Sequence, residues 1–251
     1  MPTKQVLLGD QILHGQDRAG HWVVEKLTGW YEAPESKGGG EARPLSDGDF
    51  EGQVNYGPRM VTVDGILFHR SRGELVSAME RFNSLAKLTS QKLVVTDAGL
   101  SRYANVKSLG TSWTAHTLDA SRFQVRLKSD DSFKYGESYA PSGAVGSAFD
   151  VFHRGTVEAW PVITVSGSLP GGYELTLGGR LVSVTRAVTS GSPHTLDMRT
   201  GILRVGGSVV RSGYSYAELF SVKPGLPQSF YSVANTSGSG TATVRYSDTY
   251  I

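Results

Sequence analysis

The sequence GTVEAWPVITVSG, residues Gly155–Gly167, decides the fold class of this chain. The run VITV that follows Pro161 is β-branched at every position, and such residues fit a pleated strand but lose rotamer freedom in a helix. A proline at the first position of a strand costs little, because that residue need not donate to the ladder. Glycines close both ends of the stretch. It therefore predicts the first strand of a second domain, at 160–166.

Apparent strands continue from this stretch to the C-terminus at intervals of about 8–12 residues, with glycine or proline between them. This spacing is typical of an antiparallel sandwich or jelly roll. The pairs Gly178-Gly179 and Gly206-Gly207 are candidate hairpin turns. The predicted strands lie at 173–177, 181–188, 194–198, 202–205, 208–211, 219–222, 229–234 and 241–247.

Length and composition set the outer bounds. A chain of 251 residues has room for two domains or one large β domain, and its 31 glycines and 10 prolines favour short strands joined by turns. A balance of 25 basic to 23 acidic residues does not indicate attraction to nucleic acid or to an anionic membrane. The absence of cysteine excludes disulfides, thiolate metal sites and a cysteine nucleophile. The apolar run Val6–Leu8 is too short for a signal peptide, and no run predicts membrane insertion.

The first half of the chain predicts β structure with one helix. Strands are expected at 5–8, 11–14 and 21–27, followed by a loop at 34–49. Residues 60–69 are expected to form either a strand pair or one bulged strand with Gly65 at the bulge. Ser71 and Glu74 have the spacing of a capping box and predict a helix over about 72–89. The face expected to be buried consists of Leu75, Ala78/Met79, Phe82 and Leu85/Ala86.

A meander is expected after the helix, with strands at 92–96, 101–109, 113–118 and 122–127. The last of these alternates apolar and polar residues, as a strand with one solvent-exposed face does. Residues 138–150 are small and irregular. The predicted organisation is therefore an N-terminal β domain with one helix at 1–140, a linker at 141–150 and a C-terminal β-sandwich at 151–251.

The sequence predicts no catalytic, cofactor-binding or metal-binding residue. The six histidines (14, 21, 69, 116, 153 and 194) are scattered and lack the spacing of a local metal site. Asp47, Asp49 and Glu51 hint at a calcium loop, but the EF-hand pattern is not met, so a solvated turn is favoured. Asp130 and Asp131 are adjacent, which suits a turn better than an acid/base pair.

Aromatic residues of the second half raise the possibility of a sugar-stacking platform. A sandwich uses the same residue types in its core and at its rim, and the core interpretation is favoured. The sequence therefore predicts no specific contact to carbohydrate. The residues concerned are Trp160, Tyr173, Tyr214, Tyr216, Phe220, Phe230 and Tyr231.

Six segments, in order over about 200 residues, resemble the distal tail protein (Dit) family of long-tailed, siphovirus-type bacteriophages. Ser132 stands where the family usually has proline, and His153-Arg154 replaces a common asparagine; both are turn positions. The segments are Gly57–Gly65 (GPRMVTVDG), the helix at 72–89, Phe123–Gly136 (FQVRLKSDDSFKYG), Gly155–Gly167, Thr195–Gly207 (TLDMRTGILRVGG) and Leu219–Val233 (LFSVKPGLPQSFYSV).

The resemblance implies a structural, non-enzymatic protein without cofactor that is made in the host cytoplasm and resides at the virion tail tip. Its N-terminal domain is expected to form a homohexameric ring. That ring joins the tail tube protein to the tail-tip hub protein and anchors receptor-binding proteins in some members. The second domain is expected to be a galectin-like antiparallel sandwich, without nucleic-acid sequence recognition. A galectin-like fold does not imply sugar binding, and no H-x-N-P-R sequence occurs.

The sequence leaves two other functions open. One is a carbohydrate-binding module of a phage tail, in which Trp160 and neighbouring aromatics recognise host-surface glycan. The other is a glycan-cleaving enzyme, because a pair of carboxylates can come from distant strands and is not excluded by spacing.

Overall fold

The computed structural model describes residues 4–18, 20–40, 43–45, 47, 52, 55–86 and 90–251. The chain divides into two compact units, residues 1–134 together with 251, and residues 135–250. Both units are mainly β, and the described residues contain one α-helix. No helix among them is long and apolar enough to cross a membrane.

The described residues of the first unit form the helix and nine strands, two of which, β4 and β5, make a short separate ribbon. The elements are β1 (Gln5–Leu8), β2 (Gln11–Asp17), β3 (Gly20–Thr28), β4 (Ser36–Lys37), β5 (Asn55–Tyr56), β6 (Arg59–Phe68), α1 (Arg72–Ala86), β7 (Gln91–Asp97), β8 (Leu100–Ala115) and β9 (Ala120–Ser129).

Two strands of the first unit pass from one antiparallel sheet to the other. The first part of β2 pairs with β1, and its last three residues, from Gly15, pair with β3. Similarly, residues 100–106 of β8 pair with β7, whereas residues 107–115 pair with β9. Strands that switch sheets in this way form the corners of a sandwich. As a result β1, β3, β6, β7 and β9 each have a paired neighbour on both sides.

The core of the first unit is built around an aromatic cluster beneath α1. The ring centroids of Trp22 and Phe82 lie 5.3 Å apart, and those of Phe82 and Trp113 lie 5.7 Å apart in an edge-on arrangement. Such pairs contribute about 0.5–1.5 kcal/mol beyond area burial. Asn83 adds a polar tie, since its Oδ1 accepts hydrogen bonds from Thr111 and from the indole of Trp113 at 2.7 and 2.9 Å.

The helix begins where the capping box predicts. The Glu74 amide donates to Ser71 Oγ at 3.4 Å, and the Ser71 hydroxyl donates to the Glu74 carboxylate at 3.2 Å. The predicted buried face is confirmed at Leu75, Ala78 and Phe82, with Met79 partly buried. Leu85 is 39% exposed, so its assignment to that face was wrong. The helix is described to Ala86; residues 87–89 and the Ala86 side chain lie outside the described residues.

Two strand predictions in the first unit require correction. The bulge expected at Gly65 of β6 lies on β3, between Val24 and Lys26. Gly65 serves close packing instead, because a Cβ there would lie 2.3 Å from the Val23 carbonyl oxygen and 2.7 Å from the Phe123 ring. The strands expected at 101–109 and 113–118 form the single strand β8, which continues through a register shift at Gly110, where φ is +151°.

The second unit is a pair of antiparallel sheets, so the predicted sandwich class is confirmed. One sheet has the order β18-β17-β16-β13-β21-β10, with β11 also paired to β21, and the other has the order β12-β20-β14-β15-β19. The strands are β10 (Lys134–Tyr139), β11 (Ser142–Ala144), β12 (Ala148–Val151), β13 (Val162–Ser168), β14 (Tyr173–Leu177), β15 (Arg180–Val184), β16 (His194–Asp197), β17 (Ile202–Val205), β18 (Ser208–Val210), β19 (Tyr214–Ala217), β20 (Gln228–Ala234) and β21 (Ser239–Tyr250).

Strand β13, most of which belongs to the segment Gly155–Gly167, lies in the interior of its sheet. It pairs with β16 on one side and β21 on the other, and Ile163 and Val165 point into the core. Both Gly-Gly pairs form the predicted hairpin turns, with positive φ at each glycine. Positive φ is nearly free of cost only for glycine.

Three segments of the second unit differ from prediction. Residues 141–150, expected to be a linker, include β11 and most of β12. Glycine at 143 lets the two strands pack closely, because a Cβ there would lie 2.5 Å from the Phe149 ring. The strand expected at 181–188 ends at Val184. Residues 219–222, expected to be a strand, contribute one isolated bridge, at Val222. Strand β19 at 214–217 was not predicted, because its residues are mostly exposed and do not give the apolar pattern of a buried strand.

Candidate functional site

Arg59 and Lys134 form a buried cationic cluster in the first unit. The cluster lies where two of the segments that resemble the distal tail protein family meet. The Arg59 guanidinium donates to the carbonyl oxygens of Gly29 and Glu32, each at 2.8 Å, and to that of Ser132 at 3.1 Å. The Lys134 ammonium donates to the Trp30 carbonyl at 2.8 Å. These bonds satisfy backbone acceptors of the turn after β3 with side-chain donors.

Burial disfavours both charges. It lowers the pKa of Arg59, and the nearby Glu32 carboxylate offsets part of that effect. For Lys134, burial first and then repulsion from Arg59 and Arg102 lower the pKa to about 8. The cluster therefore fixes the conformation of the turn at a cost in free energy. Its role is to position the turn and not to stabilise the fold.

The second notable arrangement lies on β21 of the second unit and holds the segment before β13. The Asp248 carboxylate accepts from the Arg154 amide at 2.7 Å, and the Tyr246 hydroxyl bonds both backbone groups of Phe152. Gly155 crosses so close to β21 that a Cβ would lie 2.2 Å from the Thr249 carbonyl oxygen. This contact explains physically why glycine begins the GTVEAWPVITVSG stretch.

His153, one of the six scattered histidines, is fully buried at this crossing. Its Nδ1 accepts from the Gly155 amide at 3.1 Å, so Nε2 carries the proton and donates to the Val222 carbonyl at 3.1 Å. Burial lowers the pKa of His153, with Val222 and Asp248 offsetting part of the effect. An imidazole placed in this way is a packing residue, since both nitrogens are occupied by backbone groups.

The candidate sugar-stacking aromatics separate into two groups. Tyr173, Phe220 and Phe230 are buried in the core and Tyr214 is partly buried, as the core interpretation expects. Trp160, at 38% exposure, precedes β13, while the exposed Tyr216 and Tyr231 stand on β19 and β20, strands that do not pair with one another. The structure does not bring these residues together as one platform.

The acidic candidates take part in turns. Asp130 accepts from Lys107 at 2.6 Å, and that bond is the main reason that its pKa is lowered. The carboxylate of Asp131 accepts from the Phe133 amide at 3.3 Å. Of the possible calcium-loop residues, Asp49 and Glu51 lie outside the described residues. Among the residues that are described, no group of three or more His, Asp or Glu could hold a metal ion.

A cleft of about 500 Å³ in the first unit lies beside the start of α1. Its carboxylates are engaged: Asp17 accepts from Gln11 and Trp22, and Glu74 takes part in the helix cap and lies 3.0 Å from His69. The arrangement offers no free pair of acid and base. The other lining residues include Arg18, His21, Phe68 and Arg70.

Sequence reasoning missed the roles of Arg59, Lys134, Tyr246 and Asp248. The available signal was indirect. Arg59 lies in GPRMVTVDG and Lys134 in FQVRLKSDDSFKYG, two segments that carry the family resemblance but do not by themselves indicate a buried charge. Charged residues are ordinarily placed at the surface, so a pattern of apolar residues cannot identify a buried cation.

Comparison with known proteins identifies the fold. No protein-family model matches the chain, and no curated protein matches it significantly. Among solved structures, the distal tail protein Dit (gp 19.1) of phage SPP1 aligns with a TM-score of 0.73 at 14% identity, covering 99% of this chain and 100% of the phage protein. That protein is described as a paradigm of the hub adsorption apparatus in phages that infect Gram-positive bacteria.

Two structures of the phage P2 baseplate in its activated conformation, with Ca and with Sr, align with TM-scores of 0.54 at 7% identity. Each alignment covers 97% of this chain and 98% of the baseplate chain. The fold suggested by the six sequence segments is therefore confirmed over both units.

Proposed function

We propose that this chain is a structural hub protein of a phage tail tip. The observation that carries the proposal is the extent of the structural likeness, which takes in both compact units of this chain and the whole of a distal tail protein. A fold alone does not assign function, but an unbroken match over two differently built units is hard to obtain from a generic sandwich.

The first unit would form a homohexameric ring that connects the tail tube protein to the tail-tip hub. The second unit, with a galectin-like arrangement, would lie at the ring's periphery and offer an anchor for receptor-binding proteins. The buried cationic cluster supports this role, because it fixes the conformation of a surface turn at a cost in stability. A protein that must match neighbouring copies benefits from rigid surface turns.

The proposal makes the protein non-enzymatic. Its support is the condition of the candidate groups: His153 is occupied by backbone partners, and Asp130 and Asp131 belong to a turn. A catalytic acid or base has to reach a substrate proton, which the buried His153 cannot do, and the exposed Asp130 carboxylate is already paired with Lys107.

Native mass spectrometry and negative-stain microscopy of the purified chain test the proposal. We expect six-fold rings with a central channel, because a head-to-tail contact that closes gives cyclic symmetry. A fragment that begins at Tyr135 is the control and should stay monomeric. Monomers alone at high protein concentration, for the full chain, would contradict the proposed hub role.

A further inference from the structure

His194 is a buried titratable group that the proposed function does not use. It begins β16, is fully buried, and points into the core between Val165 of β13 and Val205 of β17. Neither ring nitrogen makes a hydrogen bond of good geometry. This distinguishes it from His153, where both nitrogens have backbone partners.

The surroundings of His194 oppose a positive charge. The Tyr173 ring of β14 faces it with centroids 5.6 Å apart, and the Tyr173 hydroxyl has no hydrogen-bond partner. Arg186, in the segment after β15, acts on the imidazole as a like charge. The Asp197 carboxylate of the same strand belongs to the opposite face and accepts from the Arg199 amide at 2.9 Å.

Burial lowers the pKa of His194, the backbone of Ala187 offsets only part of that effect, and Arg186 lowers it further. The tyrosines nearby cannot compensate a cation, because burial raises the pKa of Tyr173 and raises that of Tyr214 to about 12. The folded unit therefore holds His194 neutral, and a proton taken up there would be a buried charge without a counter-ion.

We propose that His194 is an acid-sensitive latch for one edge of the second unit, consisting of β16, β17 and β18. Below about pH 6, protonation of the imidazole favours conformations in which β16 has left the core. The strand pairs β16–β17 and β17–β18 would open together, since β18 has no neighbour beyond β17 in its sheet. The device responds to acidity and is independent of ring formation.

The sign and size of the effect follow from linkage. Above pH 6.5 the imidazole is neutral in the closed and open states, so the edge has its full stability. As the pH falls below 6.5 the open state alone binds the proton, and the opening equilibrium grows. At pH 5 the increase reaches about 30-fold if the closed state stays unprotonated.

Hydrogen exchange with mass spectrometry on the full chain measures this directly. After correction for intrinsic exchange rates, peptides covering 194–210 should lose protection by about 30-fold between pH 7.5 and pH 5. His194→Phe keeps a ring of similar size and should remove that loss. His21→Phe, which replaces an exposed histidine of the first unit, is the matched control and should leave the loss unchanged.

An unchanged acid response in His194→Phe, or equal protection of 194–210 at both pH values in the wild type, would overturn the proposal. If His194→Phe does not fold, an NMR titration of the wild-type imidazoles decides the matter. A His194 resonance that titrates near pH 6.5 in the folded protein refutes the latch, and one that stays neutral to pH 5 supports it.

Discussion

Lys134 is a single buried charge that fixes a turn through its hydrogen bond but costs free energy to bury. Its side chain is 3% exposed, and its pKa is lowered to about 8 mainly by burial. At pH 7 the ammonium is charged in both the folded and the unfolded chain, so the full cost of burying it is present. Between pH 8 and about pH 10.4 only the unfolded chain keeps the proton, so the free energy of unfolding rises with pH.

Replacing Lys134 with methionine should therefore stabilise the protein at pH 7. We expect a net gain of about 1–2 kcal/mol, because the removed desolvation cost exceeds the lost hydrogen bond to Trp30. Urea unfolding at pH 7 and pH 9.5 measures this, and the variant should lack the wild-type rise. Lys107→Met, at an exposed position, is the control; equal effects of the two changes would refute the burial argument.

Burial of individual polar residues is what the sequence conveys least. His153, His194 and Asp248 are neighbours of ordinary strand residues in sequence, and nothing local distinguishes them from exposed ones. Their environment comes from segments elsewhere in the chain: Val222 for His153, and Tyr173 for His194. The segment at Gly155–Gly167 was recognisable, but the contact of Gly155 with Thr249 was not.

At the scale of the element, the cap of α1 gives a clean test of a local interaction. Ser71→Ala removes the acceptor of the Glu74 amide and should lower the free energy of unfolding by about 1 kcal/mol. Ser84→Ala, at an exposed position within the same helix, should be neutral or slightly stabilising, since alanine is the better helix former. Thermal unfolding of the two variants measures the difference, and equal midpoints would show that the cap contributes nothing.

Elements were predictable where their signals are local. The capping box and the 3–4 spacing of Leu75, Ala78 and Phe82 located α1, and both Gly-Gly turns were found. Strand β8 was divided in error because glycine within a strand looks like a terminator, whereas here the strand continues through Gly110 with only a shift of register against β9. Which sheet a strand joins is decided by distant partners and not by its own residues.

At the scale of the whole molecule, the two compact units predict where the chain can be divided. A fragment that starts at Tyr135 should unfold cooperatively, because it retains every strand paired to β21 within the second unit. A fragment that starts at Gly146 loses β10 and β11 and should unfold at a lower temperature. Circular dichroism melts compare them, and equal midpoints would show that β10 and β11 add no stability.

The domain organisation expected from the sequence placed a linker at 141–150, where composition is small and irregular. Composition was misleading there because edge strands such as β11 and β12 need few apolar residues, and Gly143 is small to accommodate Phe149. The fold class, by contrast, followed from the regular spacing of strands and turns.

The position of β21 in its sheet has a consequence for biosynthesis. This strand, residues 239–250, pairs with β13, which lies about 75 residues earlier, so the second unit cannot complete its sheet until residue 250 has left the ribosome. The first unit needs nothing beyond β9 to close its two sheets. A nascent chain would thus carry a folded first unit while β10, β11 and β13 still lack their partner strand β21, and in that interval their unpaired edges are open to intermolecular pairing.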